Sequence, residues 1–209
     1  LNNYLRGFGV RVADSMLLRR GEEYDEAKIE ARFGMPCFVK PAADGSSFGV
    51  SKVKNADQFA PALRKAFMES DEVMIEGFLN GVEISQGIYK TREKTVVFPA
   101  TEVVTKNEFF DYDAKYNGQV QEITPARLSK ETADKVAAET SRIYDILHAN
   151  GIIRIDYIIS KDAEGNDVVN MLEINTTPGM TVTSFIPQQV RAAGLDIKDV
   201  LSDIVENQF

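Results

Sequence analysis

The chain has one cysteine, Cys37, and one histidine, His148. A single cysteine excludes an intrachain disulfide framework and fits a reducing cytoplasm. One residue of each kind gives little support to Cys/His catalysis or to a histidine-rich zinc site. Apolar runs of the ~20 residues needed to span a bilayer are missing. The opening LNNYLRGFG lacks the basic-then-apolar layout of a leader. Cationic excess is missing too: a net charge of −8 argues against nucleic acid or an anionic membrane as the main partner. An anionic substrate would have to be held by a few focused cations. No GxxxxGK[S/T] occurs, and Gly7–Phe8–Gly9 lacks the third glycine of a dinucleotide fingerprint. Internal repeats and low-complexity segments are absent. An initial methionine is absent as well, and the chain opens inside a predicted helix with Leu1, Tyr4, Leu5 and Phe8 on one face, so it reads as a piece of something longer.

What is present is ordinary globular material. The 209 residues, 44% hydrophobic and 27% charged, allow one large domain or two small subdomains with a real core. After the first helix, Val10–Leu18 is extended, and a charged helix over Asp25–Phe33 closes at Gly34. Met35–Pro41 reads as a strand ending near Lys40, with Cys37 as a core residue. Asp44–Gly49 then forms a Gly/Ser hairpin tip before a strand over Val50–Lys54, a flap whose N–H groups and hydroxyls suit phosphates. An amphipathic helix over residues 55–70 places Phe59, Leu63 and Phe67 on its core face. Strands Val73–Phe78 and Val82–Tyr89 flank a turn that could cross between subdomains. A long irregular segment follows, carrying Phe109–Gly118. Ser129–Asn150 is a helix capped by Ser129, with Gly151 past its end and His148 in a helix-terminal or surface role. Short helices around Gln188–Ala193 and Ile197–Glu206 finish the chain.

The chemistry concentrates in residues 152–187. Two strands, Ile152–Ile159 and Val168–Asn175, are joined by a polar turn over Lys161–Asp167 with Gly165 in it. Alternation puts Arg154 with Asp156 on one face, and Glu173 with Asn175 on one face of the next strand. Antiparallel pairing can merge the two faces into two carboxylates, an amide oxygen and an arginine. Oxygen ligands of this kind suit Mg²⁺, which completes its octahedron with water and nucleotide phosphates. The flanking isoleucines predict a buried sheet, where charges must be paired or metal-bound. The TTPGMT turn that follows adds backbone N–H groups and hydroxyls, a seat for an oxyanion or a carboxylate.

FVKPAADGSSFGVSKV, VMIEGFLNGVE, FDYDAKY, GIIRIDY and MLEINTTPGMT, in this order, resemble the D-alanine–D-alanine ligases of the ATP-grasp superfamily over essentially the whole chain. The resemblance implies an α+β fold of two subdomains, residues 1–80 and 81–209, whose largely antiparallel sheets enclose a nucleotide cleft. It implies ATP and two Mg²⁺ (or Mn²⁺) ions as cofactors, with Asp156, Glu173 and Asn175 as metal ligands. Lys40 would contact phosphates, with Ser46 and Ser47 in the flap. Glu76, Phe78 and Leu79 would line the adenine site, Glu83 would hold the ribose, Phe109 and Leu172 would pack the base, and Lys115 would reach the γ-phosphate. Arg154 and the N–H of Gly179 would stabilise an oxyanion, Ser184 would take the second substrate's carboxylate, and Ser46 with Tyr116 would form a hydrogen-bonded set near the first. The implied reaction joins two D-alanines for peptidoglycan synthesis in the cytoplasm, with no nucleic-acid or membrane partner. Tyr116 resembles the dipeptide-forming members rather than those using D-lactate. The family's N-terminal domain is missing, with the acidic residue that binds the first alanine's ammonium group and a phosphate-holding lysine, so little turnover by these 209 residues alone is expected. Thr183 stands where many members carry histidine. A homodimer in the full-length form is left open. So are two other readings: a ligase for another carboxylate–amine pair, including D-lactate or D-serine, and a non-catalytic ATP-binding module.

Overall fold

The computed structural model describes residues 1–42, 48–105 and 120–209, the side chains of Thr105 and Val120 excepted. They divide into two compact units. One contains Ala13–Leu79, and the other gathers Leu1–Val12, Asn80–Val104 and Gln121–Phe209. Helix α1 (Asn2–Gly7) opens the chain and belongs to the larger unit. The smaller unit runs β1 (Ser15–Arg19), α2 (Glu26–Phe33), β2 (Cys37–Pro41), β3 (Ser51–Val53), α3 (Phe59–Glu69) and β4 (Glu72–Gly77). The larger resumes with β5 (Val82–Lys90), β6 (Thr95–Val97), β7 (Thr101–Thr105), β8 (Val120–Ile123), α4 (Lys130–Ile146), β9 (Ile153–Lys161), β10 (Asp167–Asn175), α5 (Phe185–Ala192) and α6 (Ile197–Glu206).

The smaller unit is an antiparallel sheet in the order β1–β4–β2–β3. Alternation sends Cys37 and Val39 inward with Val53, Val73 and Ile75, where Ile29 of α2 and Phe59, Leu63 and Ala66 of α3 cover them. Cys37 is thus a core residue, as expected. Asp25 caps α2 by accepting from the Lys28 N–H, and Gly34 ends it at φ +68°. The helix expected over residues 55–70 begins as a 3₁₀ turn, Ala56–Gln58. Pro61 then falls in the first turn of α3, where a missing N–H breaks no helical bond.

The larger unit's sheet has the order β10–β9–β5–β7–β8, with β6 also pairing β5. One face carries Ile84, Ile88, Ile153, Ile155, Tyr157 and Ile159, packed against Val136 and Ile143 of α4. Ser129 caps α4 as the sequence predicts, accepting from the Thr132 N–H at 3.1 Å. The helix stops at Ile146, before the expected Asn150, because the chain turns into positive φ at His148 (+47°) and Gly151 (+71°). Leu5 and Val10 join this core, and Val12 bridges Met171. The first twelve residues therefore pack with the larger unit, whereas the sequence grouped them within residues 1–80. Of the expected α1 face only Leu5 is buried; Leu1, Tyr4 and Phe8 are exposed.

On the edge of β5 opposite β9, β7 pairs with Glu83–Ser85 and β6 with Ile88–Lys90. Between them the ladder is interrupted, and Gln189 of α5 fills the gap. Fully buried, it accepts from the Gly87 N–H at 2.8 Å and donates to the Ser85 carbonyl at 2.9 Å and to Thr101 Oγ1 at 3.1 Å. A buried strand group left without a partner would cost about 1–3 kcal/mol, so this side chain fastens α5 to the sheet. The helix starts at Phe185 rather than at the expected Gln188, with Ser184 as its N-cap and Pro187 in its first turn. Gly87 permits the contact. A Cβ there would overlap Ile186 Cδ1 and lie 2.9 Å from both Gln189 Oε1 and Phe98 Cδ2. Gly87→Ala is expected to destabilise the fold by about 1–3 kcal/mol in urea denaturation; an unchanged midpoint would show that α5 does not bear on β5 as described.

Candidate functional site

The side of the larger sheet away from α4 carries the polar residues. On β9, Asp156 pairs with Ser85 of β5 and with Glu173 of β10, while Arg154 pairs with Gly87 and Asn175. The expected convergence of Arg154, Asp156, Glu173 and Asn175 is therefore observed. It depends on a register shift between Met171 and Glu173. Met171 pairs with Tyr157 in the core, and two residues further on Glu173 pairs with Asp156 on the polar side. Regular alternation would put both on one face, so the extra residue, Leu172, is what lets β10 change sides.

Asp156 is only 9% exposed and accepts four hydrogen bonds. Arg154 donates in a fork, Nε to Oδ1 and Nη2 to Oδ2, both at 2.9 Å. Ser85 Oγ donates to Oδ1 at 2.6 Å, and Asn175 Nδ2 to Oδ2 at 3.3 Å. The Arg154 guanidinium also lies over the Phe185 ring, 5.3 Å from its centroid. Burial works against its charge, but the Asp156 fork, with Glu173 and Glu83 beyond it, outweighs that and holds its pKa above the usual guanidinium value. Ser85 is a site residue that sequence reasoning missed; in VEISQGIYK it looks like any polar strand residue. Among the described residues no three His, Cys, Asp or Glu side chains are disposed to hold a metal ion by themselves. Two carboxylates with an amide oxygen nevertheless form the hard, all-oxygen set that Mg²⁺ accepts when phosphates and water complete its shell.

Residues 176–184 form a hydroxyl-braced loop beside this cluster. Ser184 Oγ lies 2.8 Å from Thr181 Oγ1 and accepts from the Thr181 N–H at 3.1 Å, while the Ser184 N–H donates to the Thr181 carbonyl at 2.9 Å. Its oxygen is turned back into the loop and does not cap α5. Gly179 lies under Ser184, where a Cβ would come 2.9 Å from Ser184 Oγ.

In the smaller unit, Lys40, Glu76 and Phe38 share the face of the sheet opposite the α2/α3 core. Lys40 Nζ pairs with Glu76, which is 3% exposed. The Phe78 ring lies 6.1 Å from that of Phe38 and takes Lys52 Nζ 4.1 Å from its centroid. Lys52 is another neighbour that sequence reasoning missed. Glu83 follows Val82 at the start of β5, in the larger unit. Ser46, Ser47, Phe109, Lys115 and Tyr116 lie outside the described residues.

A cavity of about 470 Å³ opens at the Val82/Ile159 end of the larger sheet, lined among others by Asn80, Arg127, Ser129, Lys161 and Asp167. Its cations are committed, Arg127 to Glu102 in a fork and Lys161 to Asp167 at 2.6 Å. It gathers none of the expected site residues.

The model of the D-ala D-ala ligase C-terminus family matches residues 4–206. The chain belongs to that family. It is 64% identical over 208 residues to a D-alanine–D-alanine ligase of Phocaeicola vulgatus and 62% identical to one of Bacteroides fragilis. In each case the match covers 100% of the chain and 63% of the relative, so the chain spans just under two-thirds of their length. Among solved structures, a D-Ala:D-Ser ligase of Enterococcus faecalis, VanG, superposes with a TM-score of 0.85 at 29% identity, covering 99% of the chain and 60% of that structure. A D-alanine–D-alanine ligase of Bacillus anthracis gives 0.82 at 30%, covering 99% and 64%. The α+β architecture with two sheet-bearing units is the one these family members share.

Two outcomes are expected. Removing Asp156 strands a mostly buried guanidinium, so Asp156→Ala should cost about 3 kcal/mol in chemical denaturation, with Arg154→Met recovering part of it in a double-mutant cycle. Additive losses would mean the fork carries no coupling. Arg127 hydrogen bonding holds the Glu102 carboxyl below its ordinary 4.5 despite burial. A depressed carboxylate contributes stability that is complete above its unfolded value and is lost as pH falls through the folded one. Glu102→Gln should therefore lower stability at neutral pH and flatten its decline below pH 4.5; parallel pH profiles would contradict this.

Proposed function

We propose that the chain is the ATP- and metal-binding portion of a ligase that joins two D-alanines through a D-alanyl phosphate, supplying a peptidoglycan precursor in the cytoplasm. The observation that carries the reading is the single polar face on which Arg154, Asp156, Glu173 and Asn175 meet beside the Gly179–Ser184 loop. Identity to relatives named as D-alanine–D-alanine ligases, at 64% and 62%, supports it.

Asp156, Glu173 and Asn175 would hold two Mg²⁺ (or Mn²⁺) ions, which when bound neutralise the oxygens of a transferring phosphoryl group. Lys40 and Lys115 add positive charge to the phosphates. By family resemblance, Glu76, Phe78, Leu79, Phe109 and Leu172 would serve the adenine, Glu83 the ribose hydroxyls, and Ser46, Ser47 and Tyr116 the phosphates and the first alanine. A carboxylate oxygen of the first D-alanine attacks the γ-phosphorus, and ADP leaves with the electrons of the broken P–O bond. The second D-alanine, as free amine, attacks the acyl carbon; the amine proton is lost, the C–O bond to phosphate breaks, and inorganic phosphate departs. The oxyanion formed on the way is stabilised by Arg154 and the Gly179 N–H. Ser184 receives the second carboxylate at the N-terminus of α5, where backbone N–H groups and the helix dipole favour an anion.

The test is phosphate release from ATP by the full-length protein, with and without D-alanine, and mass analysis of the product. D-alanine-dependent release with a D-alanyl-D-alanine product is expected, and Arg154→Met should lower the rate about 10²–10³-fold. The likeness to a D-Ala:D-Ser ligase makes product mass the deciding readout. Release that ignores D-alanine would overturn the proposal.

A further inference from the structure

Asp156 is acceptor-saturated. An ionised carboxylate offers about four lone-pair sites. Here Oδ1 takes Ser85 and Arg154 Nε, and Oδ2 takes Arg154 Nη2 and Asn175 Nδ2. A divalent ion can bind this carboxylate only if a donor leaves. The four differ in how easily they can go. Arg154 carries a charge that an arriving cation repels, and its head group also rests on Phe185. Asn175 makes the longest of the four bonds, at 3.3 Å. Ser85 is neutral, 0% exposed and held on three sides: in register with Asp156 on β9, in register with Thr101 on β7, and through its carbonyl by Gln189 of α5. Its 2.6 Å bond is also the shortest of the set.

We propose that Ser85 is a positioning residue: it keeps Oδ1 of Asp156 fixed while the Arg154 fork gives way to the metal ion, so the carboxylate keeps one orientation throughout the exchange. The proposal rests on the metal-dependent reading above and deepens it. The geometry separates two tasks on one carboxylate. Arg154 satisfies its charge before the ion arrives, and Ser85 sets its direction before and after. Metal ligands whose hydrogen-bonded supports are removed typically lose 10–100-fold in affinity.

The experiment measures Mn²⁺ binding, not turnover. Mn²⁺ is titrated into the full-length protein with a non-hydrolysable ATP analogue, the free-ion paramagnetic resonance signal is followed, and binding to the analogue alone is subtracted. Ser85→Ala is expected to bind Mn²⁺ about ten-fold more weakly than the parent protein. Thr140→Val is the control for mere loss of a buried hydroxyl. Thr140 is equally buried and bonds Gln86 and Tyr157 on the opposite side of the same sheet, so its Mn²⁺ affinity should equal the parent's. Ser85→Cys nearly keeps the volume with a weak donor and carries the same expectation if the alanine variant does not fold. Equal Mn²⁺ affinity in a folded Ser85 variant and the parent overturns the positioning role and leaves the functional reading standing. A parent protein that binds no Mn²⁺ overturns both, and equal weakening by Thr140→Val overturns the positioning role alone.

Discussion

The polar site depends on β10 changing sides at Leu172. Met171 must reach the core opposite Tyr157, and Glu173 must reach the polar face opposite Asp156, although they stand two apart in a strand. Without the extra residue either a carboxylate enters an isoleucine-lined core or a methionine leaves it. Burying an unpaired carboxylate is far costlier than interrupting one ladder step, so the bulge is the cheaper solution. Arg154, Asp156 and Ser85 then follow from plain alternation on β9 and β5.

A second constraint fixes the border of that face. Helix α5 rests over Gly87 and holds the interrupted edge of β5 through Gln189. One residue type makes this possible at Gly87, since any side chain would meet Ile186. The same helix presents Phe185 to the Arg154 guanidinium and begins at Ser184, where the hydroxyl-braced loop ends. Packing of the core and placement of the loop are thus decided by one helix seating.

Much of this was legible in the sequence. The hairpin expected over Ile152–Ile159 and Val168–Asn175 is observed as Ile153–Lys161 and Asp167–Asn175, because isoleucines alternating with Arg154 and Asp156 mark a strand unambiguously. The cap at Ser129 and the stop at Gly34 were equally plain. The bulge was hidden, since it is a relation between two strands and leaves no local mark beyond a parity conflict. Ser85 and Gln189 were hidden for another reason: serine in a strand and glutamine in a short helix read as surface residues, and only the neighbouring edges reveal that they are buried donors. The first helix misled in the opposite direction, with an apolar face of which only Leu5 is covered.

The Lys40–Glu76 pair has a consequence for how the smaller unit meets anions. The ammonium is already neutralised by a carboxylate on the adjoining strand of the same sheet, so any anion engaging Lys40 competes with a tethered rival. Tethering places that rival at an effective concentration of about millimolar or more. A lone small anion gains little from such an exchange. A ligand that also contacts the Phe38 and Phe78 rings brings additional binding energy to the competition. An anion engaging Lys40 would therefore have to bring contacts beyond its charge to displace Glu76.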